Sequence, residues 1–443
     1  MIQTIQTSYA RALTTGSVAE FYIQPMLSCV RDVDIMYSTT AQLAIPAGTA
    51  PPTQLPGDFS GVVCVHEIVD DGRFPGYVYL IDSYILTESI EDGKYNAERH
   101  SRPAFSRRPD LHSIKFHGPA TIRETTTSPI EPKIGLLGRE NGPRYSMDTV
   151  LCIRCLLWPT QAADWPTRQR NYGWPDLATV DRVINDGCDL VHVAHRQCRQ
   201  DEWMSRHQHR LSFSRAEIIL LNSWMPVQQI VYHMLRTFVK TERLTDSADD
   251  SQAKTLSNYH IKTLMLWACE LKSRSWWTED VNVVRICVQL LHTLAVWLTD
   301  APCQHYFINN CNLFDHIDNW LTTASRLTSE TEASLTEWFI TNYISKCAQL
   351  CINHVPGLFN DVSNTSKLQR ITAEVCKWRK YMYSVQNYTT MNTFQQSIPI
   401  HLSLNSPSVQ SYLWFMRELA KIDQCTIDAR ILQQTYFYTL PTK

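Results

Sequence analysis

No stretch of this 443-residue chain is long and apolar enough to cross a bilayer as a helix. The longest apolar run, residues 281–298, is interrupted by Asn282, Arg285, Gln289 and His292, whereas a span needs about 20 mostly apolar residues. Residues 1–16 lack the apolar core of a secretory signal. Charge of one sign is missing too. Forty-one Lys and Arg against 43 Asp and Glu leave a formal charge of −2. That excludes a uniformly basic coat for nucleic acid, while a local basic face stays possible. The sequence contains no internal repeat and no low-complexity tract. Its 14 cysteines follow no compact framework, so they read as free thiols of a reducing compartment. A soluble, cytoplasmic protein with no membrane partner is expected.

What is present suffices for two or three globular units, since 44% of residues are hydrophobic. The first third reads as strands and turns. Residues 62–68 and 77–81 are β-rich, the second run entered by Pro75-Gly76. Residues 45–57, with four prolines and two glycines, predict a loop. Polar residues 91–143 predict long connections, and residues 148–158 a further strand closed by Trp158-Pro159. From about Ser214 the period becomes helical: Val227, Ile230, Val231, Met234, Leu235 and Phe238 follow Pro226, a residue suited to a first helical turn. Residues 256–271, 281–298, 335–351 and 409–419 repeat that pattern, with breaks expected at 322–334 and 360–367. Strands followed by helices predict an α+β fold of two lobes, a mixed-sheet lobe and an all-helical lobe, with a helical C-terminal extension. The expected boundaries are 1–165, 166–320 and 321–443.

The sharpest local feature is Gly16-Ser17, a short helix-like run, then Arg31-Asp32-Val33-Asp34. Residues two apart on a strand share a face, so Asp32 and Asp34 would stand side by side. Two adjacent carboxylates repel unless a cation neutralises them. A pair of Mg²⁺ ions would do so and would also take triphosphate oxygens. Asp148 heads a neighbouring strand and is placed to complete such a cage. Gly16-Ser17 could present backbone N–H groups and a hydroxyl to phosphate. Both strings are common, so from them alone an ordinary turn and an exposed strand edge remain open.

Several strings further on carry more. Trp158-Pro159, Trp165, Arg210-Leu-Ser-Phe-Ser-Arg-Ala-Glu217, residues 257–263 (Ser-Asn-Tyr-His-Ile-Lys-Thr), Cys269-Glu270, Trp276 and residues 309–313 closely resemble the signature of the cyclic GMP-AMP synthase-like (cGAS-like), Mab-21-type nucleotidyltransferases. The resemblance spans about residues 16–313. It implies a nucleotidyltransferase fold and assigns roles by motif. Ser17, with Gly16, would contact the donor triphosphate, and Asp32, Asp34 and Asp148 would be catalytic and hold Mg²⁺ or Mn²⁺. Arg210 would contact base or phosphate, Ser212 and Ser214 would line the pocket, Tyr259 would stack on a base, and Arg236 would bind phosphate. Arginine forks and an aromatic face suit those tasks.

The resemblance further implies a ligand-activated cyclic dinucleotide synthase that uses ATP and GTP in innate immune signalling. Residues 218–234 contain no cysteine, so the zinc-binding insertion of the DNA sensor is missing. Double-stranded RNA thereby becomes the favoured activator over double-stranded DNA. Val150 stands where the DNA sensor has threonine, so neither bases nor linkage can be carried over. The alternatives are a catalytically idle Mab-type interaction scaffold and a transferase that makes linear products. Two other groupings stand out: Cys188, His192, His195 and Cys198, whose spacing is not that of a zinc finger, and the basic stretches Arg102, Arg107, Arg108, Lys115 and Arg196, Arg199, Arg206, Arg210, Arg215.

Overall fold

The computed structural model describes residues 10–15, 32–106, 116–117, 120–122, 146–242, 244, 256–278, 283–314 and 320–338. Gly16, Ser17, Arg107, Arg108, Lys115 and the expected helical stretches beyond residue 338 lie outside the described residues.

Ten strands form one sheet: β1 (Ala10–Thr15), β2 (Asp32–Pro46), β3 (Val62–Asp70), β4 (Tyr77–Glu88), β5 (Tyr95–Arg99), β6 (Phe116–His117), β7 (Ala120–Ile122), β8 (Ser146–Cys155), β9 (Cys188–Val191) and β10 (Gln208–Ser212). Strand pairing runs β2-β3-β4-β10-β9-β8 and returns to β2, a closed circuit of six strands. The long β2 makes this possible. Its first half lies between β1 and β8, and its second half between β3 and β8, with a register shift between Ser38 and Leu43.

Nine helices follow or interleave: α1 (Leu177–Asp186), α2 (Glu202–His207), α3 (Ser214–Asn222), α4 (Pro226–Thr241), α5 (Asn258–Leu271), α6 (Arg274–Thr278), α7 (Val283–Thr299), α8 (Trp320–Thr328) and α9 (Glu332–Trp338), counted among the described residues. Local chemistry sets their ends. The Asp176 carboxylate accepts the Thr179 N–H at 2.7 Å and starts α1. Gly187 ends it at φ +65°, where any side chain would collide with the Cys155 carbonyl. Pro226 opens α4, and the Met225 N–H is satisfied by the Gln228 side chain at 2.8 Å.

One large core joins the sheet to the helices. It includes Val78, Leu80, Ile153 and Leu190 from strands, and Leu220, Val231, Leu264 and Leu291 from helices. The expected strands at 62–68, 77–81 and 148–158 and the helices after Pro226, at 256–271 and at 281–298 are all present. Two expectations need correction. Residues 91–143 were expected to be connections, yet they contain β5, whose only buried residue is Tyr95, and the short strands β6 and β7. Residues 322–334 were expected to be a break, yet α8 and part of α9 fall there, because Ala324 and Leu327 supply a narrow apolar face against the core.

Candidate active site

The parallel pairing of β2 with β8 sets Asp34 opposite Asp148, and Asp32 opposite Ser146. Thr15, bonded to Gly16, pairs with Asp34 on the other side of β2, and Ile122 pairs with Asp148. One row of the sheet therefore reads Thr15, Asp34, Asp148, Ile122. Asp32 lies two positions along and so on the same face as Asp34. Three acidic residues thus stand at neighbouring register positions of β2 and β8. Hydrophobic neighbours follow immediately: Met36, Cys152 and Val191 form a buried cluster with Val150 against it.

Four residues along the same strands, a second row reads Ser38, Cys152, Val191, Arg210. At about 3.3 Å per residue the two rows are about 13 Å apart along the strands. Arg210 is exposed there, and Ser212 follows two positions on. The Ser212 and Ser214 hydroxyls are 3.2 Å apart, where β10 passes into α3.

Tyr259, at the start of α5, faces the same junction and is held by a chain of buried and half-buried groups. His305 Nδ1 accepts the N–H groups of Phe307 and Ile308, each at 3.1 Å. Burial lowers the His305 pKa to about 4, so the ring is neutral and carries its proton on Nε2. That Nε2–H donates to the Tyr259 hydroxyl at 2.9 Å. The tyrosine proton is then free for Glu217, and Lys262 Nζ lies 2.7 Å from Glu217 Oε2 and 5.5 Å above the Tyr259 ring. Burial, with the Glu217 charge second, holds the Tyr259 phenol well above its usual pKa. Arg236, on α4, lies over the Tyr232 ring.

Arg210, Ser212, Ser214 and Tyr259 are thus gathered with Glu217 and Lys262. His305 belongs to the same group, and no local string announces it. Gly16 and Ser17 lie outside the described residues. The strings that carried the resemblance also meet as packing. Trp158 lies 5.3 Å from Trp165 and 5.5 Å from Phe213, and Phe213 stacks on Phe307 at 4.5 Å. Glu270 receives Arg168 at 2.8 Å and the Tyr306 hydroxyl at 2.7 Å.

The Cys188, His192, His195, Cys198 grouping is not brought to one point. Cys188 pairs in register with Cys155, His192 Nε2 donates to the Arg206 carbonyl at 2.7 Å, and His195 stacks on Phe74 at 4.1 Å. Part of the basic stretch is structural as well. Arg215 binds the fully buried Asp189 at 2.8 Å, and Arg206 pairs with Glu202 at 3.0 Å. Only residues 223–225 separate α3 from α4, so the described structure has no inserted metal-binding loop there. No described helix is long and apolar enough to cross a membrane.

Residues 94–223 match the Mab-21 protein nucleotidyltransferase domain, and residues 227–328 match the Mab-21 protein HhH/H2TH-like domain. Asp148, Arg210, Ser212 and Ser214 fall in the first match, and Arg236 and Tyr259 in the second. Asp32 and Asp34 precede both. Protein male abnormal 21 of Caenorhabditis briggsae is 25% identical over 177 residues, 38% of this chain and 46% of that protein. Its namesake in Caenorhabditis elegans gives the same figures. Protein mab-21-like of Aedes aegypti is 27% identical over 266 residues, 56% of this chain and 67% of that protein. The chain thus spans under half the length of the two nematode relatives. With two successive Mab-21 domains matched over more than half of its residues, on a sheet lobe followed by helices, the chain belongs to the Mab-21 family, the cGAS-like branch of nucleotidyltransferase-fold proteins.

Proposed function

We propose that this chain is a metal-dependent nucleotidyltransferase that joins ATP and GTP into a cyclic dinucleotide when a ligand activates it. The observation that carries this reading is the register of Asp34 opposite Asp148, with Asp32 two positions away. A pure scaffold has no need for three acids in that arrangement. Asp32, Asp34 and Asp148 would hold the divalent ions, Mg²⁺ or Mn²⁺, and the donor set fits them. Bound there, such ions would supply activation of a ribose hydroxyl and neutralisation of the leaving pyrophosphate.

The remaining residues position substrate. Gly16 and Ser17, directly following the strand end opposite Asp34, would take the triphosphate. Arg210, Ser212 and Ser214 offer a guanidinium fork and two hydroxyls to base or phosphate edges, further along the sheet from the acidic row. Tyr259 offers a ring face, fixed by His305 and Glu217, on which a base stacks without being identified. Arg236 would bind phosphate from α4. Double-stranded RNA is the activator proposed, with signalling in innate immunity in the cytoplasm as the role.

The test is incubation of the purified chain with labelled ATP and GTP and Mg²⁺ or Mn²⁺, alone or with double-stranded RNA or DNA. Products are resolved after phosphatase treatment, with Asp34→Asn as control. A phosphatase-resistant product lost in the variant supports the proposal. Phosphatase-sensitive oligonucleotides would point to a linear transferase. Metal-independent nucleotide binding without turnover in any condition would point to an idle scaffold.

A further inference from the structure

We propose that Cys64 and His66, with Asp82 holding the histidine ring, form a second metal site, for an ion of the zinc class, away from the acidic row. One donor atom from each of the three lies within 4.8 Å of the other two. Cys64 and His66 alternate on β3, and Asp82 sits across from His66 on β4. The β3–β4 register shifts between Val65 and His66, leaving Ser83 as the extra residue. Such a bulge re-aims side chains that regular pairing would keep apart. Cys64 pairs with Gln42, eight residues along β2 from Asp34, or roughly 25 Å of strand.

The His66 ring carries the polar atom that an ion here would satisfy. It is 2% exposed, and its Nδ1 lies 2.7 Å from Asp82 Oδ1. Its Nε2 is buried and has no hydrogen-bond partner. A buried polar atom left unpaired costs about 1–3 kcal/mol. With Asp82 as acceptor, a neutral ring carries its proton on Nδ1 and offers a lone pair on Nε2. A carboxylate holding one imidazole nitrogen while the other binds metal is the usual support of a histidine ligand. Cys64 then supplies sulfur, and water fills the remaining positions. Thiolate with imidazole selects a zinc-class ion over Mg²⁺.

Burial, with the Asp82 charge second, pushes the Cys64 thiol up to about 11. A nucleophilic cysteine beside a His–Asp pair would show the opposite shift. Metal binding would expel the thiol proton to solvent as the sulfur–metal bond forms, with no change of oxidation state.

The test uses the full chain, stripped with a chelator and titrated with Co²⁺. A thiolate-to-cobalt absorption band that saturates with an ion at this site is expected, and Cys64→Ser should abolish it. Asp82→Asn, at a partly exposed carboxylate, should keep the band and weaken Co²⁺ binding by about 10- to 100-fold. A wild-type protein without the band, an undiminished band in Cys64→Ser, or unchanged Co²⁺ affinity in Asp82→Asn would each overturn the proposal. The readout is independent of nucleotide turnover, so it stands apart from the proposed activity.

Discussion

Lys262 and Glu217, 45 residues apart, meet at 2.7 Å with side chains only 11% and 5% exposed. The pair ties α5 to α3 beneath Tyr259. A buried pair adds little net stability, but breaking one half leaves the other charge stranded, at about 3–5 kcal/mol. Lys262→Met should therefore destabilise by about that amount in denaturant titration. Lys262→Met combined with Glu217→Leu should recover most of the loss. Equal damage from single and double variants would mean that the pair is not the source.

Tyr259 is held from two sides, by His305 at its hydroxyl and by Lys262 over its ring. If its face stacks on a base, Tyr259→Ala should weaken nucleotide binding roughly 5- to 150-fold, from about 1–3 kcal/mol of stacking. Tyr259→Phe keeps the ring and should bind within about threefold of wild type. Calorimetric titration with ATP and GTP measures both. Comparable losses in the two variants would assign Tyr259 to hydroxyl bonding instead.

The helices after Pro226 were legible because apolar residues such as Val227, Val231 and Leu235 recur on one face over several turns, a signal that survives without tertiary knowledge. The strand β5 and helix α8 were not. Each buries too few side chains, Tyr95 in one and Ala324 with Leu327 in the other, for periodicity to emerge. Asp32, Asp34 and Asp148 could be named from strand alternation, but their placement in one row depends on the β2–β8 register, which a sequence does not write down. His305 was invisible for the same reason: its partner is 46 residues away. The motif strings told more about packing than chemistry. Trp158, Trp165 and Phe213 are recognisable because they seat the helices on the sheet.

The acidic row should separate chemistry from folding. Asp32→Asn, Asp34→Asn and Asp148→Asn each keep side-chain shape while removing a like charge from a crowded row. Each should lower turnover by at least about a thousandfold, in line with loss of a metal-held charge clamp. Thermal melting of the metal-free variants should match or exceed wild type. A variant that retains turnover would remove that acid from the proposed site, and a folding defect would make it structural.

Two buried histidines and the half-buried His305 contribute to the acid response. Burial is the main cause of lowering at His209 and His233, each to about 3, and at His305 to about 4. Below the ordinary histidine range the unfolded chain takes up protons that the folded chain refuses. Stability is therefore fully present above about pH 6.5 and falls as pH drops toward 4. With three such groups the slope near pH 5 should be about 4 kcal/mol per pH unit. Denaturant midpoints at pH 7, 6 and 5 measure it. His233→Gln should reduce the slope by about 1.4 kcal/mol per pH unit, one proton's share. An unchanged slope would show that His233 already carries its proton in the folded protein.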